Sequence, residues 1–324
     1  MPRDPKEFEG WQSCQDVQDR WPDVSGNALN GLDEIQSRRP TPVMWHDPDI
    51  IPFGNVQRWF SQQGNTHKHI ARFGREPVEG TADRANDIPA DTPSWTAERW
   101  TAEVKAAALA CGADEVGIAK VNPEWIFDGY VAPQKWIVVL LVAMDFDALN
   151  EAPGVTAQNE IKKQYDRGTT SAGKLAEWMR EMGWDGVPHG GPIAGPVLMI
   201  PHAIEAGLGE LGKHGSMISK RYGSSFRLAN VLTDIPLIPD QREVFGADDF
   251  CLNCQLCTNI CPVDAISPEK VMVRGEVKWY VDFDKCLPFF VENNSCAMCL
   301  PACPWSRPGV ADKLLVKLAR RRDG

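Results

Sequence analysis

No stretch of this chain approaches the length of a membrane span, and the longest apolar run, Trp136 to Met144, fits a buried strand. Basic residues are outnumbered: 34 Lys and Arg against 44 Asp and Glu leave a formal charge of −10. A nucleic-acid surface needs a basic stripe, so this balance argues against one. The opening Met1-Pro2-Arg3-Asp4-Pro5-Lys6 has neither an apolar signal segment nor a twin-arginine motif. The expectation is a cytoplasmic protein with no membrane partner. No histidine follows His214, and tyrosine occurs only four times. The first absence removes a usual companion of cysteine in zinc sites.

What the chain does have is cysteine, concentrated at one end. Of its 10 cysteines, eight fall in the last quarter. The first four read Cys251-x2-Cys254-x2-Cys257-x3-Cys261-Pro262, and the second four read Cys286-x9-Cys296-x2-Cys299-x3-Cys303-Pro304. A C-x2-C-x2-C-x3-C-P run is the bacterial ferredoxin signature, in which the fourth cysteine serves the other cluster. Two runs imply two 4Fe–4S clusters with crossed ligation. Cys251, Cys254, Cys257 and Cys303 hold one; Cys261, Cys286, Cys296 and Cys299 hold the other. Each proline turns the chain away after the last ligand. Disulfides would require an oxidising compartment, and zinc favours two separated C-x2-C pairs.

Residues 1–92 are rich in Trp, Pro, Asp and Gly with little periodicity, and read as an irregular segment wrapping the core. A helix is predicted near Thr96 to Cys111, where Trp100, Val104, Ala107, Ala108 and Cys111 share a face and Gly112 supplies the stop. Strands follow around Glu115–Val121 and Trp136–Met144, then a helix from about Thr170 to Met182 and a strand over Arg227–Leu237. The order suggests an α/β or α+β core over 93–245, then a cluster module over 246–310. The basic tail, 311–324, carries Lys313, Lys317, Arg320, Arg321 and Arg322. It reads as a solvated helix before a docking one.

Gly207-Leu208-Gly209-Glu210-Leu211-Gly212 matches G-x-G-x-x-G. A dinucleotide fold needs a strand before that motif. Here Pro201 to Ala206 reads as a short helix ending at Gly207, so nicotinamide binding is not expected. The glycines serve turns or the close approach of backbone to a bulky planar cofactor.

Three segments then carry a resemblance. Ala206-Gly207-Leu208-Gly209-Glu210-Leu211-Gly212-Lys213, Tyr222-Gly223-Ser224-Ser225-Phe226-Arg227 and Val231-Leu232-Thr233-Asp234-Ile235-Pro236-Leu237 precede the two cysteine motifs in order, and the second motif ends Cys303-Pro304-Trp305-Ser306. Over roughly Glu98 to Ser306 this resembles the corrinoid- and iron–sulfur-dependent reductive dehalogenases, whose architecture the epoxyqueuosine reductases share. The resemblance implies an α+β fold: a nitroreductase-like corrinoid-binding core with a C-terminal bacterial-ferredoxin-like two-cluster module. It implies cobalamin bound base-off, with contacts at Gly207, Gly209, Lys213, His214 and Ser216. Electrons pass through the clusters to cobalt, halide leaves, and a proton replaces it on carbon.

In the family a tyrosine supplies that proton beside a basic residue. Counting back from Trp178-Met179-Arg180-Glu181-Met182-Gly183 places Tyr165 at the tyrosine position, and Arg227 falls at the arginine position. Taken alone, Tyr165 reads as a half-buried helix residue and Arg227 as an ion-pair partner; Tyr222 and Tyr280 are the other candidates. Some members carry an Asn after a Pro-Cys-Gly segment. Here the stretch is Pro188-His189-Gly190-Gly191, where His189 reads as a turn residue or a substitute hydrogen-bond donor.

The expected function is reductive dehalogenation of an organohalide, with a lean to a halogenated aromatic such as a halophenol whose oxygen meets Arg227. No flavin or nicotinamide module is recognisable, so electrons come from an external ferredoxin, flavodoxin or reductase. One alternative is an epoxyqueuosine-reductase-like tRNA enzyme, but the position of that family's acid holds Ile193. The other is a non-catalytic electron carrier, for which the long region before Cys251 is superfluous.

Overall fold

A computed structural model of the chain describes residues 4–63, 92–192 and 195–322. Strands β1 (Glu115–Lys120), β2 (Trp136–Ala143), β3 (Gly186–Gly190) and β4 (Phe226–Thr233) form an antiparallel sheet in the order β1-β2-β4-β3. Strand β2 explains its own apolar run. Its Val138 and Leu140 face a layer built by helices α1 (Ala97–Ala110) and α2 (Val155–Glu181), through Trp100, Val104, Leu175 and Met179. Its Ile137, Val139 and Leu141 face the opposite layer, with Ala203 and Ile204 of helix α3 (Met199–Glu205) and Phe226. A central strand covered on both faces has no polar side to show. Burying each such residue is worth roughly 1.5–3 kcal/mol. This is a mixed helix-and-sheet core.

Helix α2 begins at Val155, well before the predicted Thr170. Its first half lacks an apolar stripe because polar residues point inward there. Glu160 is buried and accepts hydrogen bonds from the Asp145 backbone N–H (2.9 Å) and Gln164 Nε2 (2.8 Å). Gly168 then brings the helix close to the sheet: a Cβ there would lie 3.3 Å from Ala229 Cβ.

Strand β3 was not anticipated, since Gly186, Pro188, Gly190 and His189 make a poor strand sequence. It lies at the sheet edge, where a missing N–H is tolerated. His189 therefore sits in a strand opposite Asn230, not in a turn.

The cysteine-rich region comprises helices Ala247–Asn253, Leu256–Ile260, Phe283–Glu292 and Cys299–Ala302 around a small hairpin pairing Val271–Val273 with Glu276–Lys278. Apolar residues of the N-terminal segment, including Val17, Met44, Phe53 and Val56, pack on Leu287 and Val291 of this region. The same segment reaches the core, where Arg39 donates to the carbonyls of Ile126, Phe127 and Tyr130. Helix Ala311–Arg322 lays Ala311, Leu314, Leu315 and Leu318 against the cluster containing Trp305, and leaves Lys313, Lys317 and Arg320 exposed. Among the described residues no helix is long and apolar enough to cross a membrane.

Candidate active site and cluster-binding cysteines

Sheet and helix periodicities bring Tyr165 and Arg227 together. Ala229 of β4 faces Gly168 of α2. Two residues back along the strand, Arg227 points the same way; one turn back along the helix, so does Tyr165. The Arg227 Cζ lies 5.1 Å from the Tyr165 ring centroid. Its Nη1 donates to the Phe226 carbonyl (3.1 Å), while its Nε is buried without a partner.

The end of β3 closes over this pair. A Cβ on Gly191 would overlap the Tyr165 ring, and one on Gly190 would overlap Thr169. Thr169 Oγ1 donates to the Gly191 carbonyl (3.2 Å), which ties strand to helix. The Gly190-Gly191 pair was the available signal for this contact, because only glycine lets backbone lie on a ring so closely. On the other face of the sheet, His189 Nδ1 is 3.3 Å from Asn230 Oδ1. Burial holds the His189 pKa below its ordinary value, against the opposing bond from Asn230. Ser225 Oγ, Arg227 Nε and Asn230 Nδ2, all on or next to β4, are buried polar atoms without protein partners. Such atoms are what a polar ligand satisfies.

The other two tyrosine candidates are placed differently. Tyr280 donates to Asn27 Oδ1 (2.9 Å), and burial pushes its pKa up to about 12. Tyr222 has Arg221 beside it at 5.1 Å, but burial and the nearby Asp114 and Glu115 push its pKa up.

The five residues expected at a corrinoid divide. Gly207 follows α3 with φ +75°, and a Cβ on it would meet the Gln241 carbonyl at 2.6 Å; Gly209 lies against the Ile218 carbonyl. Ser216 gives its backbone N–H to His214 Nδ1 (3.2 Å). With Nδ1 an acceptor, His214 Nε2–H donates to Ser224 Oγ (2.9 Å), and burial drops the imidazole pKa to about 4. His214 borders a cavity of about 390 Å³ shared with Trp45, Trp279, Tyr280 and Cys286. Lys213 instead turns to the cysteine region, where its Nζ donates to the Pro268 carbonyl (2.9 Å).

The eight thiols fall into two neighbourhoods. Cys251, Cys257 and Cys303 act electrostatically on one another and all feel Cys254. Cys286, Cys296 and Cys299 all feel Cys261. Cys299 also reaches across to Cys257. The two neighbourhoods group the thiols in the same fours as the spacing along the chain. Burial pushes the Cys251 thiol up to about 11, and Cys257, Cys286 and Cys296 up to about 12. Burial raises Cys299 and Cys303 as well. Such thiols become thiolates on binding a cation, releasing protons. Among the described residues no three His, Cys, Asp or Glu side chains converge tightly enough to chelate a single ion. Thiolates at the corners of a cubane each bind a different iron and stand farther apart than four on one zinc. The second set borders the tyrosine: Cys299 and Tyr165 both pack against the cluster of Met144, Leu149, Ile161 and Leu300.

A family model described as a 4Fe-4S dicluster domain matches residues 250–306. The tetrachloroethene reductive dehalogenase of Dehalobacter restrictus is 32% identical over 209 residues, which cover 60% of this chain and 37% of that protein. A solved catabolic reductive dehalogenase, in complex with 3-bromo-4-hydroxybenzoic acid, superposes with a TM-score of 0.66 at 23% identity, over 92% of this chain and 46% of that one. The epoxyqueuosine reductase of Cyclobacterium marinum is 31% identical over 120 residues, 35% of this chain and 38% of that protein. The chain is thus related to the reductive dehalogenases and shares their fold, with epoxyqueuosine reductases as further relatives. It spans well under half the length of the Dehalobacter protein, 37%.

Proposed function

We propose that this chain catalyses reductive dehalogenation of an organohalide, using cobalamin bound base-off and two 4Fe–4S clusters. In this reading residues 93–245 form a nitroreductase-like corrinoid-binding core, and residues 246–310 the two-cluster module. The observation that carries it is the Tyr165–Arg227 pair, 5.1 Å apart, beside a cysteine of the second thiol set. The unpartnered Ser225 Oγ and Arg227 Nε, with the bare backbone of Gly190 and Gly191, suit a large ligand with polar edges. The chemistry of the donor sets, two fours of thiols, suits two cubanes.

The overall change is R–X plus two electrons and one proton, giving R–H and halide. Cobalamin, when bound, supplies the reducible metal that opens the carbon–halogen bond. The residues of the chain do the rest. Tyr165 delivers the proton from its hydroxyl to carbon, and Arg227 stabilises the phenolate. A positioned donor of this kind contributes roughly 10²–10⁴-fold to rate. The free Nε of Arg227 gives a halophenol oxygen a hydrogen-bond donor, which favours a halogenated aromatic as substrate. An external ferredoxin, flavodoxin or reductase supplies the electrons.

The tRNA-modifying alternative requires an acid where this sequence has Ile193, a position outside the described residues. Anaerobic reconstitution with iron, sulfide and cobalamin, followed by halide assay across a halophenol panel, tests the proposal. About eight irons and one cobalt per chain with stoichiometric halide release support it. Failure to take up cobalt, or turnover of epoxyqueuosine tRNA without halide chemistry, refutes it.

A further inference from the structure

Lys213 is a cation with 1% of its surface exposed. Its Nζ donates to the Pro268 carbonyl at 2.9 Å and stands 4.8 Å from the centroid of the Trp279 ring. Among the described residues no carboxylate pairs with it. Asp248, which sits at the Trp279 indole, is already engaged. Its Oδ2 receives Lys270 Nζ at 2.6 Å, and its Oδ1 receives the Trp279 indole N–H at 2.6 Å. Trp279 belongs to one apolar cluster with Cys251 and Cys303. The Lys213 ammonium thus lies over the Trp279 ring, in the same packed cluster as Cys251 and Cys303. Among the described residues no other lysine or arginine is buried, so the second thiol set has no comparable cation.

We propose that Lys213 sets the reduction potential of the cluster on Cys251, Cys254, Cys257 and Cys303, holding it above the potential of the cluster on the second set. This rests on the two-cluster reading above. Reduction adds an electron to a cluster that four thiolates already make anionic. A buried ammonium stabilises that added charge more than solvent-screened charges do. The first electron therefore settles on the Lys213 side. The second set, which borders Tyr165 through Cys299, is reduced later and is the stronger reductant.

Anaerobic redox titration followed by electron paramagnetic resonance tests this on the reconstituted full chain, with iron content measured in parallel. Wild-type protein should show two separate reduction steps. Lys213→Gln should weaken the higher step by at least tenfold in equilibrium constant, a shift of 59 mV for one electron, and leave the lower step in place. Lys213→Arg should keep the wild-type pattern. Full iron with an unshifted higher step in Lys213→Gln overturns the role of Lys213 and leaves the two-cluster reading standing. Wild-type protein that binds no iron overturns that reading and this inference with it. Should Lys213→Gln shed iron, the wild-type titration decides: two clusters titrating together in one step overturn the proposal.

Discussion

Arg227 places its guanidinium 5.1 Å from the Tyr165 ring, joining the second layer of the fold to its central sheet at one point. The pairing is a matter of register. Gly168 and Ala229 set how closely helix α2 approaches β4, and their neighbours one turn and two residues back have no choice but to meet.

Removing the phenolic hydroxyl tests the role of that pair most directly. Tyr165→Phe keeps the ring and its packing, so the fold and iron content should be unchanged. Halide release should fall by roughly 10²–10⁴-fold, the contribution of a positioned acid. Arg227→Lys keeps the charge but loses the planar fork, and its rate should lie between wild type and Arg227→Gln. Steady-state halide assays at saturating substrate check both; full turnover in Tyr165→Phe would remove it as the donor.

Gly191→Ala should be more damaging than its size suggests. The added methyl falls where the Tyr165 ring lies, so ring or strand must move. A displacement of an ångström in a proton donor costs on the order of 10²-fold. The expected outcome is a drop in kcat with the cluster absorbance retained. A variant as fast as wild type would mean that the β3 end does not position Tyr165.

His46 gives a pH signature with a definite sign. It is buried beside Tyr130, with Nδ1 3.1 Å from the tyrosine hydroxyl, and burial drops its pKa to about 4. The unfolded chain protonates this imidazole near pH 6.5. Between about 6.5 and 4 the unfolded state therefore binds more protons, and stability falls as the pH is lowered through that window. Above 6.5 the contribution is complete and flat. Urea midpoints at pH 7 and 5 should differ more in wild type than in His46→Gln, by on the order of 1–2 kcal/mol. Equal differences would place the imidazole in a solvated setting.

The sequence was readable where one constraint dominates. Cysteine spacing marks an iron–sulfur region, and a 4Fe-4S dicluster model matches residues 250–306; β2 was legible because both its faces are covered. Elsewhere, local signals were outvoted by tertiary ones. The first half of α2 hides its inward face behind Glu160 and Gln164, which look solvated until Asp145 is seen to cap the carboxylate. Strand β3, with proline and glycines, is made a strand by the edge of β4 that it pairs with. Lys213 and His214 are adjacent in sequence but serve different surroundings, one the thiols and the other a cavity. Spacing along the chain cannot separate two neighbours in a turn.

The crossed ligation is testable by pairing substitutions across the two motifs. Cys251 and Cys303 lie in different motifs but in one electrostatic neighbourhood, whereas Cys303 and Cys299 share a motif and belong to different neighbourhoods. Cys251→Ser and Cys303→Ser should therefore weaken the same cluster, and Cys299→Ser the other. The readout is which reduction step disappears, together with a fall from about eight irons towards about four. Simple ligation by consecutive cysteines makes the opposite forecast: Cys303→Ser and Cys299→Ser would then remove the same step. Because Cys299 packs in the same apolar cluster as Tyr165, its loss should also stop halide release driven by an artificial one-electron donor. Loss of Cys303 should slow release from a protein donor while leaving part of the activity with a small one, which can reach the remaining cluster without passing through the first.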